Sequence, residues 1–172
     1  MRTSILILAL SLLLCNCTKK KEKCYSSFTY FKGNIRLSYY LKFNSSDTVY
    51  FYDRYPLGKK GIYYFLLEKN ARKELDSIVC GLRFPKDSVM VNNEIEDGTT
   101  IAFGIDKKRL MLHGHKGPKE FWNFEKWIDS VQFYNPLKPL NRKVKFENFD
   151  KMLYVPEPKI DTITAGNSGF AQ

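Results

Sequence analysis

The chain has 172 residues, a formal net charge of +10, and 13 Phe, 11 Tyr and 2 Trp. That aromatic load excludes a disordered chain, and the length suits one domain with a proper core. A basic chain invites a nucleic-acid partner, but no recognition-helix or zinc-finger pattern is present. No nucleic-acid partner is therefore expected.

The chain opens on Met1-Arg2-Thr3-Ser4, and residues 5–14 are apolar except for Ser11. A basic start, a short apolar run and a processing site make a secretory signal peptide. The run is too short to span a bilayer, which takes about 20 apolar residues. Leu14-Cys15-Asn16-Cys17 resembles the lipobox of bacterial lipoproteins. Cys17 is then the lipid acceptor, Leu14 the residue three before it and Asn16 the residue just before it. Asn16 departs from the usual Gly, Ala or Ser, and that permissive position resembles lipoproteins of the Bacteroidota. Cys15 fits less well, because Leu14 before it is too bulky for the peptidase. The competing reading is an ordinary secreted protein cut elsewhere. In the resembling group an acidic run after the Cys goes with surface export. Here residues 18–23 are mostly lysine, so the resemblance implies a lipid-anchored protein of the cell envelope that faces the periplasm. Acyl chains on Cys17 are its membrane partner, and the lysines add attraction to anionic head groups.

The expected organisation is a signal peptide over 1–16, a lipidated Cys and basic tether over 17–27, one domain over 28–155 and a mobile tail over 156–172. Two cysteines remain in the body, Cys24 and Cys80. In an oxidising compartment they could pair, or stay as two thiols; geometry decides.

Along the body, residues 28–31 read as a first strand. Ile35, Leu37, Tyr39, Leu41 and Phe43 alternate with polar or charged neighbours, which predicts a strand over 35–43 with one buried face. A turn cluster at 44–47 leads to a strand over 48–53, completing a hairpin. The continuous apolar run at 62–67 predicts a central strand covered on both sides. The period then changes. Ala71, Leu75, Ile78, Val79 and Leu82 share one helical face, with Asn70 as the N-cap and Gly81 just past the end. Residues 89–91 are a short extended piece and 92–98 an acidic turn. Residues 99–105 and 109–113 predict a second hairpin. Gly117-Pro118 opens a second helix with a stripe of Phe121, Phe124, Ile128 and Val131, flanked by Trp122 and Trp127. Prolines break the chain after Tyr134; 144–149 predicts an edge strand, and 152–155 a segment docked on the body. The predicted class is α+β, an antiparallel sheet of about five to six strands with two amphipathic helices packed on it. In outline this resembles small envelope lipoprotein domains, with no shared catalytic residue to carry over.

Chemistry-bearing motifs are few. His113-Gly114-His115 lacks further ligands nearby, and residues 92–98 fail the EF-hand spacing, so no metal site and no cofactor are assigned. No Gly-x-Ser-x-Gly elbow is present, and paired acids in one loop fix no geometry; no catalytic residue is assigned and a non-enzymatic role is expected. The first sheet carries many tyrosines. Tyr39 and Tyr40 must point to opposite faces of a strand, so one face is core and the other sets tyrosines beside arginines. Aromatics with Arg are what protein interfaces use. Arg36, Tyr40 and Arg54 are the expected partner-binding residues, and another envelope protein, in an assembly-factor or inhibitor role, is the expected partner. A glycan-binding module on the same aromatic face is the alternative. A third reading has the tail covering that face.

Overall fold

A computed structural model describes residues 24–54 and 61–152. The expected signal peptide, the lipid acceptor Cys17 and the tail over 156–172 lie outside the described residues. The described chain is α+β. Its elements run β1 (Phe28–Gly33), β2 (Ser38–Phe43), β3 (Thr48–Asp53), β4 (Ile62–Leu66), α1 (Lys69–Gly81), β5 (Val89–Val91), β6 (Thr100–Ile105), β7 (Lys108–His113), α2 (Lys119–Tyr134) and β8 (Lys138–Leu140). The strands form one sheet of eight, in the order β5-β7-β6-β1-β2-β3-β4-β8, rather than the five to six expected. All pairs are antiparallel except β5 with β7. β5, a three-residue edge piece, coincides with the short extended piece read at 89–91 and joins the sheet; β8, the three-residue piece at the other edge, is below the length at which alternation can be read in a sequence.

β1 lies in mid-sheet, paired along its whole length with β2 on one side and β6 on the other. Alternation then sorts its side chains. Phe28, Tyr30 and Lys32 face the helices, and Thr29 and Phe31 face away. The helix-side core stacks Phe28 on Phe43 at 4.8 Å and on Phe124 at 5.4 Å, with Phe103 meeting Phe121 at 5.1 Å. Such ring pairs add about 0.5–1.5 kcal/mol each beyond area burial. Leu75 and Val79 of α1 and Phe121, Trp122, Phe124 and Ile128 of α2 complete it.

Several local expectations need correction. β2 starts at Ser38, not at residue 35, because Asn34 makes a turn: its Oδ1 accepts from the amides of Arg36 and Leu37, and its own amide donates to the Leu37 carbonyl. Such side-chain turns compete with strand pairing, and Ile35 is left exposed. β4 is not a central strand covered on both sides. It is one strand from the edge, and only Phe65 of its residues is buried, while Leu66 is exposed. α1 begins at Lys69, so Asn70 lies inside the first turn and Glu68 is the cap residue, with no side-chain bond. Gly81 is the last helical residue; the Leu82 amide then donates back to the Ile78 and Val79 carbonyls. Pro118 is the N-cap residue of α2 rather than its first residue.

The 144–149 segment is not an edge strand. Residues 141–152 instead cross the sheet face opposite the helices as a strap without regular structure. Phe149 is fully buried there with Phe31, Tyr40, Ala102 and Met111, and Phe146 and Met152 pack against them. Gly104 makes room for the strap: a Cβ there would collide with the Glu147 carboxylate and stand 3.1 Å from the Phe149 ring. Polar ties reinforce it. Arg109 pairs with Glu147, Arg54 with Asp150 at 2.6 Å, and Lys42 donates to the Lys145 carbonyl at 2.7 Å.

Candidate functional site

At the end of the sheet where β1 turns into β2, a cleft of about 610 Å³ opens between the 34–37 turn and the C-terminal end of α2. Its floor is polar. Lys32, the last inward residue of β1, is only 9% exposed. Its ammonium donates to Glu125 at 2.5 Å and to Asp129, one turn further along α2. The Tyr39 hydroxyl donates to the other Asp129 oxygen at 3.0 Å. Burial works to lower the affinity of Lys32 for its proton; the hydrogen bonds and charges of Asp129 and Glu125 outweigh it, so its pKa stands above the usual lysine value. Burial, then the charge and hydrogen bond of Asp129, pushes the Tyr39 hydroxyl far above the tyrosine range. Tyr30, fully buried beside it, is pushed up for the same first reason, with Tyr39 and Asp129 adding to it. All three groups therefore keep their protons at neutral pH. Through Lys32 and Tyr39 the cluster ties β1 and β2 to α2.

The walls and mouth differ from the floor. Phe51 and Tyr39 form an apolar wall, and Asp53 and Arg36 line the cleft with Leu37 and Gln132. At the mouth stand Phe133 and Tyr134, 82% and 79% exposed, with their rings edge to face at 5.3 Å. Helical geometry explains this. The stripe Phe121, Phe124, Ile128 turns inward, and Phe133 and Tyr134 fall off it in the last turn before Asn135 ends the helix. The Arg36 guanidinium is exposed and makes no ion pair among the described residues.

The three expected partner-binding residues are not brought together. Arg36 lines this cleft. Tyr40 and Arg54 lie across the sheet, under and beside the strap. Tyr40 is buried, stacked on Phe149 at 6.1 Å and near Phe146, and its hydroxyl accepts from Arg54 at 3.2 Å. Burial raises the Tyr40 pKa, with Arg54 pulling the other way. The tyrosine face is therefore partly covered by residues 141–152, in the sense of the third reading and against an open aromatic face, and Arg54 is occupied with Asp150. Cys24 and Cys80 are joined in a disulfide that closes a separation of 56 residues. It ties the segment before β1 to the end of α1.

His113 is not a surface residue. It is 2% exposed, and its Nε2 lies 2.7 Å from the Ile95 carbonyl. A carbonyl only accepts, so Nε2 carries a proton; in the neutral ring Nδ1 then accepts from the Thr100 hydroxyl at 2.8 Å. The residue clamps the 92–98 turn onto the sheet. His115 is separate, its ring 4.6 Å from that of Trp122. Among the described residues no group of three or more His, Cys, Asp or Glu is placed to hold a metal ion.

Sequence reasoning missed Lys32, Glu125, Asp129, Phe133 and Tyr134. The signal was there for the first three. Lys32 continues the inward alternation of Phe28 and Tyr30, and Glu125 and Asp129 lie one turn apart inside a helical stripe of aromatics. Ending the first strand at residue 31 hid it. Comparisons with protein-family models, with curated proteins and with solved structures find no match.

Proposed function

We propose that the chain is a lipid-anchored lipoprotein of the bacterial envelope that performs no catalysis and binds another envelope protein through the cleft. The observation that carries the binding role is the pair of exposed aromatics, Phe133 and Tyr134, at the mouth of a cleft that also carries Arg36. Large aromatics together with Arg are the residue types that dominate protein interfaces. A contiguous exposed apolar pair beside an open hollow is unfavourable in water and marks a contact surface. The anchoring rests on the pattern of residues 5–17.

The test is crosslinking of the lipidated protein in cells, followed by mass spectrometry of what it captures. The triple variant Arg36→Ala, Phe133→Ser, Tyr134→Ser should lose a dominant captured protein and keep its melting temperature. Capture that survives all three changes overturns the cleft as the binding site. The glycan alternative has a narrower footing, the half-exposed Tyr52 and Tyr64 beyond the strap. Quenching of aromatic emission by envelope sugars, with protein capture absent, would favour it.

A further inference from the structure

The disulfide fixes where the chain leaves the body, and that point lies at the opposite end of β1 from the cleft. At the start of β1, Phe28 pairs with Phe43 and Ile105, and Ile105 pairs with Lys108 in the β6–β7 hairpin. At its other end Gly33 pairs with Ser38, which lines the cleft. Six residues of strand, about 17 Å, separate the two. Around Cys24 and Cys80 is a hollow of about 460 Å³, also lined by Leu82, Phe84, Lys107 and Lys108. Lys107, Lys108 and the neighbouring Arg83 are exposed. The Lys108 ammonium lies over the Phe84 ring, 5.8 Å from its centre. The acid of this region, Asp106, is turned to the chain itself: its Oδ1 accepts from the hydroxyl and amide of Ser26 and the amide of Ser27. The rim facing outward is therefore net positive.

We infer that this basic rim around the Cys24–Cys80 disulfide rests on an anionic bilayer and so turns the cleft away from the membrane. The inference rests on the proposed lipid at Cys17. Only six residues lie between Cys17 and Cys24; however they are arranged, the seven steps from one cysteine to the other reach at most about 25 Å. A folded body of this size is about 35 Å across. The tether therefore keeps the Cys24 end within about 25 Å of the head groups, and the attraction of about 1 kcal/mol that each lysine there adds toward an anionic surface turns that end down onto it. The cleft then faces the aqueous space, where a partner can reach it.

The test is lysine acylation read by mass spectrometry on the mature protein. It is reconstituted in vesicles of phosphatidylcholine alone, and in vesicles of phosphatidylcholine mixed with phosphatidylglycerol. The expected result is that Lys107 and Lys108 react about fivefold more slowly in the anionic vesicles, the factor equivalent to that attraction per lysine. Lys138 and Lys143, remote from the rim, should react alike in both. The mass of the N-terminal peptide, from the same digest, separates two failures. Lipid present with Lys107 and Lys108 equally reactive in both vesicles overturns the inference alone. A peptide without lipid overturns the anchoring and the inference with it.

Discussion

Among the described residues, the sheet is closed on the side of α1 and α2 by two helices, with 21 buried residues in one aromatic-rich cluster. On the other side, residues 141–152 close it with a strap and a cluster of five. Both sides have fully buried phenylalanines, Phe124 on one and Phe149 on the other. They differ in what holds the cover down. The helices supply their own backbone hydrogen bonds and press long stripes onto the sheet. The strap relies on one deeply inserted ring and on ion pairs that water reaches, such as Arg54 with Asp150, whose side chains are 35% and 50% exposed. Exposed pairs of that kind contribute about 1 kcal/mol or less. One face is thus a structural core. The other is a lighter closure, expected to open locally before the sheet comes apart.

The largest expected effect is on the helix side. Lys32→Met leaves Glu125 and Asp129 facing each other without their cation, and breaking a buried pair this way costs about 3–5 kcal/mol. Urea unfolding should show it, and adding Glu125→Gln to the same chain should recover part of the loss. Next comes the strap. Phe149→Ala in a closed core would cost about 3–5 kcal/mol. Because the strap can lift, the expected loss is about 2 kcal/mol. Hydrogen exchange should quicken over residues 144–152 while β1 stays protected. Equal exchange changes in β1 and the strap would erase the distinction between the two faces. The smallest effect is Arg54→Ala, expected to cost about 1 kcal/mol or less in the same unfolding experiment.

Alkaline pH sharpens the comparison further. Lys32, Tyr30 and Tyr39, all on the helix side, have folded pKa values raised above their ordinary 10.5 and 10.0. A raised folded pKa gives stability that is fully present below the ordinary value and lost as pH rises through the folded one. The melting temperature should therefore fall above pH about 10, and Tyr39→Phe should flatten that fall. Asp106 has the opposite sign. Its pKa is lowered, chiefly by the Ser26 hydroxyl, so its contribution is present above the ordinary carboxylate value and lost on acidification.

The helix side was legible in the sequence; on the strap side only a docked segment beginning at Met152 was, for a physical reason. Alternation at Tyr39, Leu41 and Phe43 and the stripe at Phe121, Phe124 and Ile128 are periodic, so they name both an element and its buried face. Phe146, Phe149 and Met152 have no period to read; Phe149 is buried, with the other two half-buried beside it, because the strap crosses β1 and β6 at the gap above Gly104, a tertiary circumstance. Tyr40 was rightly placed away from the helices, but nothing local says that Phe149 would cover it. The cleft was half legible. Arg36 stands out by residue type alone, whereas Phe133 and Tyr134 matter because a helix ends just after them, and helix ends are the least certain feature of a sequence reading.

The mid-sheet place of β1 has a consequence for how the chain is made. Its β2 edge is satisfied by residues close behind it, but its other edge must wait for Thr100–Ile105, some seventy residues later. A nascent or truncated chain that stops before β6 leaves six residues, Phe28–Gly33, with one row of amides and carbonyls unpaired. Such a row is a template for another copy of the same strand. The unfinished molecule is therefore the one at risk of polymerising, and arrival of the β6–β7 hairpin ends that risk by occupying the template.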